Sequence, residues 1–210
     1  MQSALAAADT ITGITKANPG VATSVAHGMA NGTYVYLETQ GMYQLNGKVA
    51  RIANVSADTF ELEGIDTSSF DTFSSGTAKA ITYGTTISTM ADLSASGGEA
   101  ADIDITTIHD EEQVTIPGLK SASKIAFNNL FDLSEAGLVA MQAADATDAT
   151  RAFKVVWKSG TIAVFAGRVS VGSFPTGNPG EVVKLPALIT AQKKPTYYSA
   201  QPMSALAQRH

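Results

Sequence analysis

The strict alternation in Thr59-Phe60-Glu61-Leu62-Glu63 constrains this chain more than any other short stretch. Phe60 and Leu62 fall on one side and both glutamates on the other. That is the two-residue period of a half-buried strand, not the 3.6-residue period of a helix. The same period runs through residues 48–55, with Val49, Ile52/Ala53 and Val55 as inward candidates, and more weakly through Tyr34-Val35-Tyr36-Leu37. Asn18-Pro19-Gly20, Asn31-Gly32, Asn46-Gly47 and Ala57-Asp58 separate these runs as turns. Strands so short and closely spaced, from residue 9 to about 78, predict a small barrel or sandwich.

Composition agrees. Of 210 residues only 16% are charged, and 18 are glycine, a balance that suits strands and turns better than salt-bridged helices. The length allows one large domain or two small ones. There is no cysteine, which excludes disulfide frameworks, zinc–thiolate sites, iron–sulfur clusters and cysteine nucleophiles. A net charge of −5 argues against a sequence-independent grip on nucleic acid, which needs a basic face. The first eight residues hold no Lys or Arg and no sustained apolar run, so they make a poor signal peptide. No window offers the roughly 18 apolar residues of a membrane span. The sequons at Asn31 and Asn54 read as chance.

A Ser/Thr/Gly-rich stretch, residues 68–77, reads as a boundary, with a linker around residues 76–80. Beyond it, residues 92–112 carry seven carboxylates and no Lys or Arg. Within that run Ile103 and Ile105 alternate with Asp102, Asp104 and Thr106, which predicts a half-buried strand with a carboxylate face. Residues 124–128 alternate again. One helix is signalled: Asp132 as N-cap, Glu135 three residues on, and Leu133, Ala136, Ala140 and Ala143 on one face, ending near Ala144. Residues 152–157 and 161–166 flank Lys158-Ser159-Gly160 as a hairpin. A long loop at residues 174–180 leads to a last strand, 182–189, where Pro186 lacks a donor and predicts an edge or a bulge. The tail from Ser199 reads as loosely ordered. The fold class is mainly β with a single helix.

Motifs for chemistry are missing. There is no P-loop, no G-x-G-x-x-G, no H-E-x-x-H and no G-x-S-x-G. His27 reads as turn packing, His109-Asp110 lacks an activated serine, and Trp157 reads as core or interface. Asp102 and Asp104 share one strand face about 7 Å apart. They could hold a divalent cation or act as an acid/base pair, they could form a solvated acidic face, or they could form an acidic wall in an assembly. The solvated face is the preferred reading. No enzymatic activity, metal or cofactor is expected.

Residues 79–198 resemble the tail tube (major tail) proteins of long, non-contractile-tailed phages. The resemblance rests on residues 84–88, on residues 92–107, on Pro117-Gly118-Leu119-Lys120 and the alternating strand at 124–128, on Leu138-Val139-Ala140-Met141, and on the hairpin from Arg151 to Val169. Residues 11–78 look like a different module, a small β-barrel repeat named after the first catalytic-cysteine half-domain of ubiquitin-activating enzymes. It is carried by residues 11–21, 26–28, 45–47 and 58–62. With no cysteine present, that likeness implies a fold and not ubiquitin chemistry. Residues 1–10 are an N-terminal segment that could add a strand to the tube domain, and residues 199–210 are a C-terminal tail.

The tail-tube resemblance implies hexameric rings stacked into a hollow conduit for the genome, in a virion assembled in the host bacterial cytoplasm. It implies self-association, together with tape-measure, terminator and baseplate or tail-tip proteins as partners, and no membrane. Phage DNA would pass through without specific binding, so a carboxylate-lined lumen is expected, with Asp102, Asp104, Glu61 and Glu63 as candidates. Asp110, Glu111 and Glu112 are expected on a long hairpin or loop touching the next ring. Two alternatives stand beside this: a carbohydrate- or receptor-binding tail component using Tyr34, Tyr36 and Tyr43, and a secretion-system tube protein of the same fold.

Overall fold

A computed structural model describes residues 1–199, and the expected tail beyond Ser199 lies outside the described residues. Fifteen strands and one helix make the described chain mainly β. The first seven strands are β1 (Gln2–Ile11), β2 (Gly13–Ile14), β3 (Val21–Thr23), β4 (Tyr34–Gln40), β5 (Lys48–Ala53), β6 (Thr59–Leu62) and β7 (Ser75–Tyr83). They form one sheet in the order β1-β7-β4-β5-β6-β3-β2. Its two end members are successive pieces of one stretch, separated by Thr12, whose amide donates to the Thr23 carbonyl at 2.9 Å. The sheet therefore curls round on itself into a small barrel. Val35, Leu37, Ile52, Phe60 and Leu62 fill it and are fully buried, which is where the alternation had put Phe60 and Leu62.

Two features differ from the sequence reading. The stretch taken as a linker is β7, paired with β1 on one side and β4 on the other. Its small residues answer a close approach: a Cβ on Gly76 would stand 2.6 Å from the Glu38 carbonyl oxygen. At the N-terminus, β1 pairs with β7 in the barrel sheet, while Met1 is buried in the second core and the Gln2 side chain accepts from the Ala152 amide at 2.9 Å.

The second unit holds β8 (Ser94–Ser96), β9 (Ala100–Asp104), β10 (Thr115–Lys120), β11 (Lys124–Leu130), α1 (Ala136–Ala146), β12 (Arg151–Val156), β13 (Ile162–Val171), β14 (Lys184–Ala191) and β15 (Thr196–Tyr198). Its main sheet runs β12-β13-β14-β11-β8, with β15 paired to β13. Leu138, Met141 and Ala144 of α1 pack with Phe127, Phe153 and Phe165 in one core.

Pro186 is not on an edge, because β14 lies between β13 and β11. Its carbonyl accepts from the Gly172 amide at 2.8 Å, just past the end of β13. The missing donor thus faces the side where the neighbouring strand has already ended, which an interior strand tolerates. The helix also starts later than its sequence suggests. Glu135 is the N-cap and accepts from the Leu138 amide, whereas Asp132 holds a turn by accepting from Ser134. The buried face is consequently Gly137, Leu138, Met141 and Ala144, and Leu133 is left 64% exposed.

Barrel and second sheet meet across Val49, Ile81, Ala152, Val164 and Ala166. Tyr198 closes this contact: its hydroxyl accepts from the Arg51 amide at 2.8 Å, and the Arg51 guanidinium lies 4.4 Å from its ring centre. Burial pushes the Tyr198 hydroxyl up to about 12.

Candidate assembly surface

Among the described residues, β9 and β10 pair only with each other. They continue β8 and β11 outward as one ribbon. The Lys124–Ser96 pairing of the sheet passes through the Ser121 amide bonded to the Glu99 carbonyl at 2.9 Å and on to the Lys120–Ala100 pair. Gly97 and Gly98 sit where the ribbon leaves the sheet, at φ of +83° and +84°. A side chain at Gly97 would also press to 2.2 Å of the Ala122 carbonyl oxygen. Two successive left-handed residues redirect the chain there, which only glycine does without strain.

The resulting arm keeps almost nothing inside. Ile103, Ile105, Val114 and Ile116 are each between 41% and 49% exposed, and Ile108 at the tip is 96% exposed. The expected half-buried strand is therefore exposed on both faces, since none of the described residues forms a second layer under it. The tip is ordered by its own carboxylates. Asp104 accepts from the Thr106 amide at 2.8 Å and Asp110 from the Thr107 amide at 2.7 Å. These hydrogen bonds hold both carboxyls below their ordinary range, through the Thr106 hydroxyl first at Asp104 and the Thr107 amide first at Asp110.

The arm brings Asp102, Asp104, Asp110, Glu111 and Glu112 together on one exposed element. Glu61 and Glu63 lie elsewhere, on and just after β6 of the barrel. Glu63 is ion-paired with Arg51, a buried side chain, and Glu61 accepts from Asn54 at 2.7 Å. The three tyrosines of the carbohydrate alternative do not form a platform. Tyr34 and Tyr36 pack into the contact between the two units, leaving Tyr43 exposed by itself. His27 is buried edge-on against Phe60 at 5.3 Å, and His109 is exposed, its amide donating to the Thr107 hydroxyl at 3.4 Å. Among the described residues no group of three or more His, Cys, Asp or Glu could hold a metal.

A second feature was not legible from strand periodicity. A groove of about 680 Å³ opens at the arm's root, lined by Lys120, Lys124, Lys193 and Lys194 together with Glu99, Ile125 and Tyr197. Lys48 approaches from the barrel; burial first, then the charges of Lys194 and Lys193, push its pKa down. The Lys193-Lys194-Pro195 run was the available sequence signal.

Among the described residues, nothing covers the apolar side chains of the arm. The family model described as phage tail tube protein, TTP, matches residues 40–200. The chain belongs to that family. No curated protein matches it. A tail tube protein is a self-assembling component of the phage tail, and here the family match begins at the end of β4, inside the barrel. No helix among the described residues is long and apolar enough to cross a membrane.

Proposed function

We propose that this tail tube protein forms hexameric rings that stack into the conduit for genome delivery, and that it works structurally, without a catalytic step. The observation that carries this is the arm: a two-stranded ribbon with its apolar side chains exposed is marginal alone in water and gains its cover from a neighbouring copy. Among the described residues the outer edges of β1 and β12 have no strand partner, the Gln2 side chain covering only the Ala152 amide of β12, and such edges supply ring-wise pairing. Head-to-tail contacts do not close along the axis, so a tape-measure and a terminator protein set the length, and a tail-tip complex sets the start. Assembly takes place in the host cytoplasm, which the lack of cysteine suits.

The barrel, residues 11–78, is proposed as a module decorating or bracing the tube domain of residues 79–198, with residues 1–10 tying the two together. Asp110, Glu111 and Glu112 are proposed at the contact with the next ring. Asp102 and Asp104 are the carboxylates proposed to face the lumen, where negative charge repels phosphate and keeps the duplex sliding. Glu63, neutralised by Arg51, and Glu61, engaged by Asn54, are weaker contributors. Negative-stain electron microscopy of the purified protein tests the reading. Tubes or six-fold rings are expected, and a strictly monomeric particle at high concentration overturns it. In assembled tubes D102K/D104K is expected to retain duplex DNA; free passage would remove the lumen assignment.

A further inference from the structure

Among the described residues no carboxylate lies within salt-bridge distance of the groove's lysines, although Glu99 also lines the groove and the Lys193 ammonium donates to the Tyr43 carbonyl at 3.4 Å. The ion pairs of the described residues are Arg51–Glu63, Lys79–Glu38 and Arg168–Asp148, so Lys48, Lys120, Lys124, Lys193 and Lys194 lack a carboxylate within salt-bridge distance. Four lysines and one carboxylate, Glu99, line the groove, and Lys48 stands close enough to feel the charges of Lys194 and Lys193, in a protein whose net charge is −5. Crowding of like charge costs free energy; at Lys48 the charges of Lys194 and Lys193 add to the larger effect of burial, and an arriving anion offsets the crowding. The groove also offers apolar walls, Ile125 and Tyr197, so it suits an anionic segment that carries apolar side chains.

The same molecule presents such a segment. The arm tip holds Asp110, Glu111 and Glu112 beside Ile108, with no Lys or Arg from residue 92 to 112. A copy's own tip does not reach its own groove. The ribbon leads away from the root, and the five residues of β9 plus the turn put the tip about 25 Å off at strand rise. We propose that the lysine groove is the receptor for the acidic arm tip of a second copy. Each copy then offers one tip and one groove at separate places, a heterologous contact that repeats from copy to copy. Resting on the tube reading, the inference names the surface that receives the arm.

Charge exchange in the full chain is the experiment. K120E/K124E/K193E/K194E is expected to fold with an unchanged circular-dichroism spectrum and melting temperature while raising the protein concentration needed for assembly at least about tenfold. D110K/E111K/E112K is expected to do the same. Combining both sets in one chain is expected to restore assembly, because the charges are again complementary. Carbodiimide coupling in a mixture of ¹⁴N- and ¹⁵N-labelled wild-type protein is expected to join Lys193 or Lys194 of one isotope to Asp110, Glu111 or Glu112 of the other. Wild-type tubes whose assembly ignores both reversals, or a combined variant that stays unassembled, overturn the groove assignment and leave the tube reading standing. Lysine-dependent retention of duplex DNA with self-association unchanged also overturns it. A wild-type chain that never assembles overturns both.

Discussion

The barrel and the arm are built from the same material and spend it in opposite ways. In the barrel every second residue of β4 and β6 is fully or almost fully withdrawn from water, and Val35, Leu37, Phe60 and Leu62 have no exposed surface at all. In the arm the corresponding isoleucines keep roughly half of theirs. Alternation alone does not say where the apolar face goes; it says only that a cover exists. The barrel finds its cover by closing on itself through the β1–β2 stretch. The arm is led off the sheet by Gly97 and Gly98 before it can find one in its own chain.

The sharpest way to break this comparison is to remove the arm. Replacing residues 100–119 with a short turn is expected to leave the melting temperature within about two degrees, because little of the core is touched, while abolishing stacking in electron micrographs. Intact tubes from that variant would show that the arm is ornamental. Phe60→Ala attacks the other side of the contrast. It is expected to cost about 3–5 kcal/mol in urea unfolding, with assembly lost only as far as folding is lost.

A smaller effect is expected at the joint between the units. Tyr198→Phe leaves the buried Arg51 amide without its acceptor, so a loss of about 1–3 kcal/mol is expected in the same assay. A neutral result would mean that water or a shift of β15 satisfies Arg51. Ile108→Ser should move unfolding by no more than about 0.5 kcal/mol yet weaken assembly measured by light scattering. If both change together, the tip has a cover within its own chain and the comparison fails.

The pH dependence is the mildest test. Hydrogen bonds hold the carboxyls of Asp66, Asp92, Asp104, Asp110 and Asp132 below their ordinary range. The unfolded chain therefore binds protons first as pH falls, and stability declines through and below the ordinary carboxylate range. These groups are exposed, so the slope is expected to be shallow. Hydrogen exchange should show the arm tip loosening before the barrel does.

Much of the barrel was legible because its signals are local. Phe60 and Leu62 alternate with glutamates, and Asn46-Gly47 and Gly160 supply turns. The mainly-β class and the hairpin around Gly160 follow from the same cues. What escaped depends on neighbours far along the chain. Gly76 looks like a linker residue until Glu38 is seen against it, and Pro186 looks like an edge residue until β13 is seen to stop at Val171. The cap moved to Glu135 because its side chain reaches Ser88 as well as Leu138. Of the candidate carboxylates, spacing located those of the arm on one element, whereas pattern could not show that Glu63 is spent on Arg51. The lysine groove is assembled from three segments, near residues 48, 120–124 and 193–194, a convergence no window of sequence contains.

The continuity of the ribbon with the sheet has a mechanical consequence. A pull on the tip runs down both strands of the arm into β8 and β11, and β11 lies antiparallel to β14 over seven paired residues, from Lys124–Thr190 to Leu130–Lys184. The load is directed along that seam, so its rungs are strained together and must give way as a group. A sheet peeled from its end would lose them one at a time. The arm is thus fastened where traction is resisted best, like a cable spliced lengthwise into a beam.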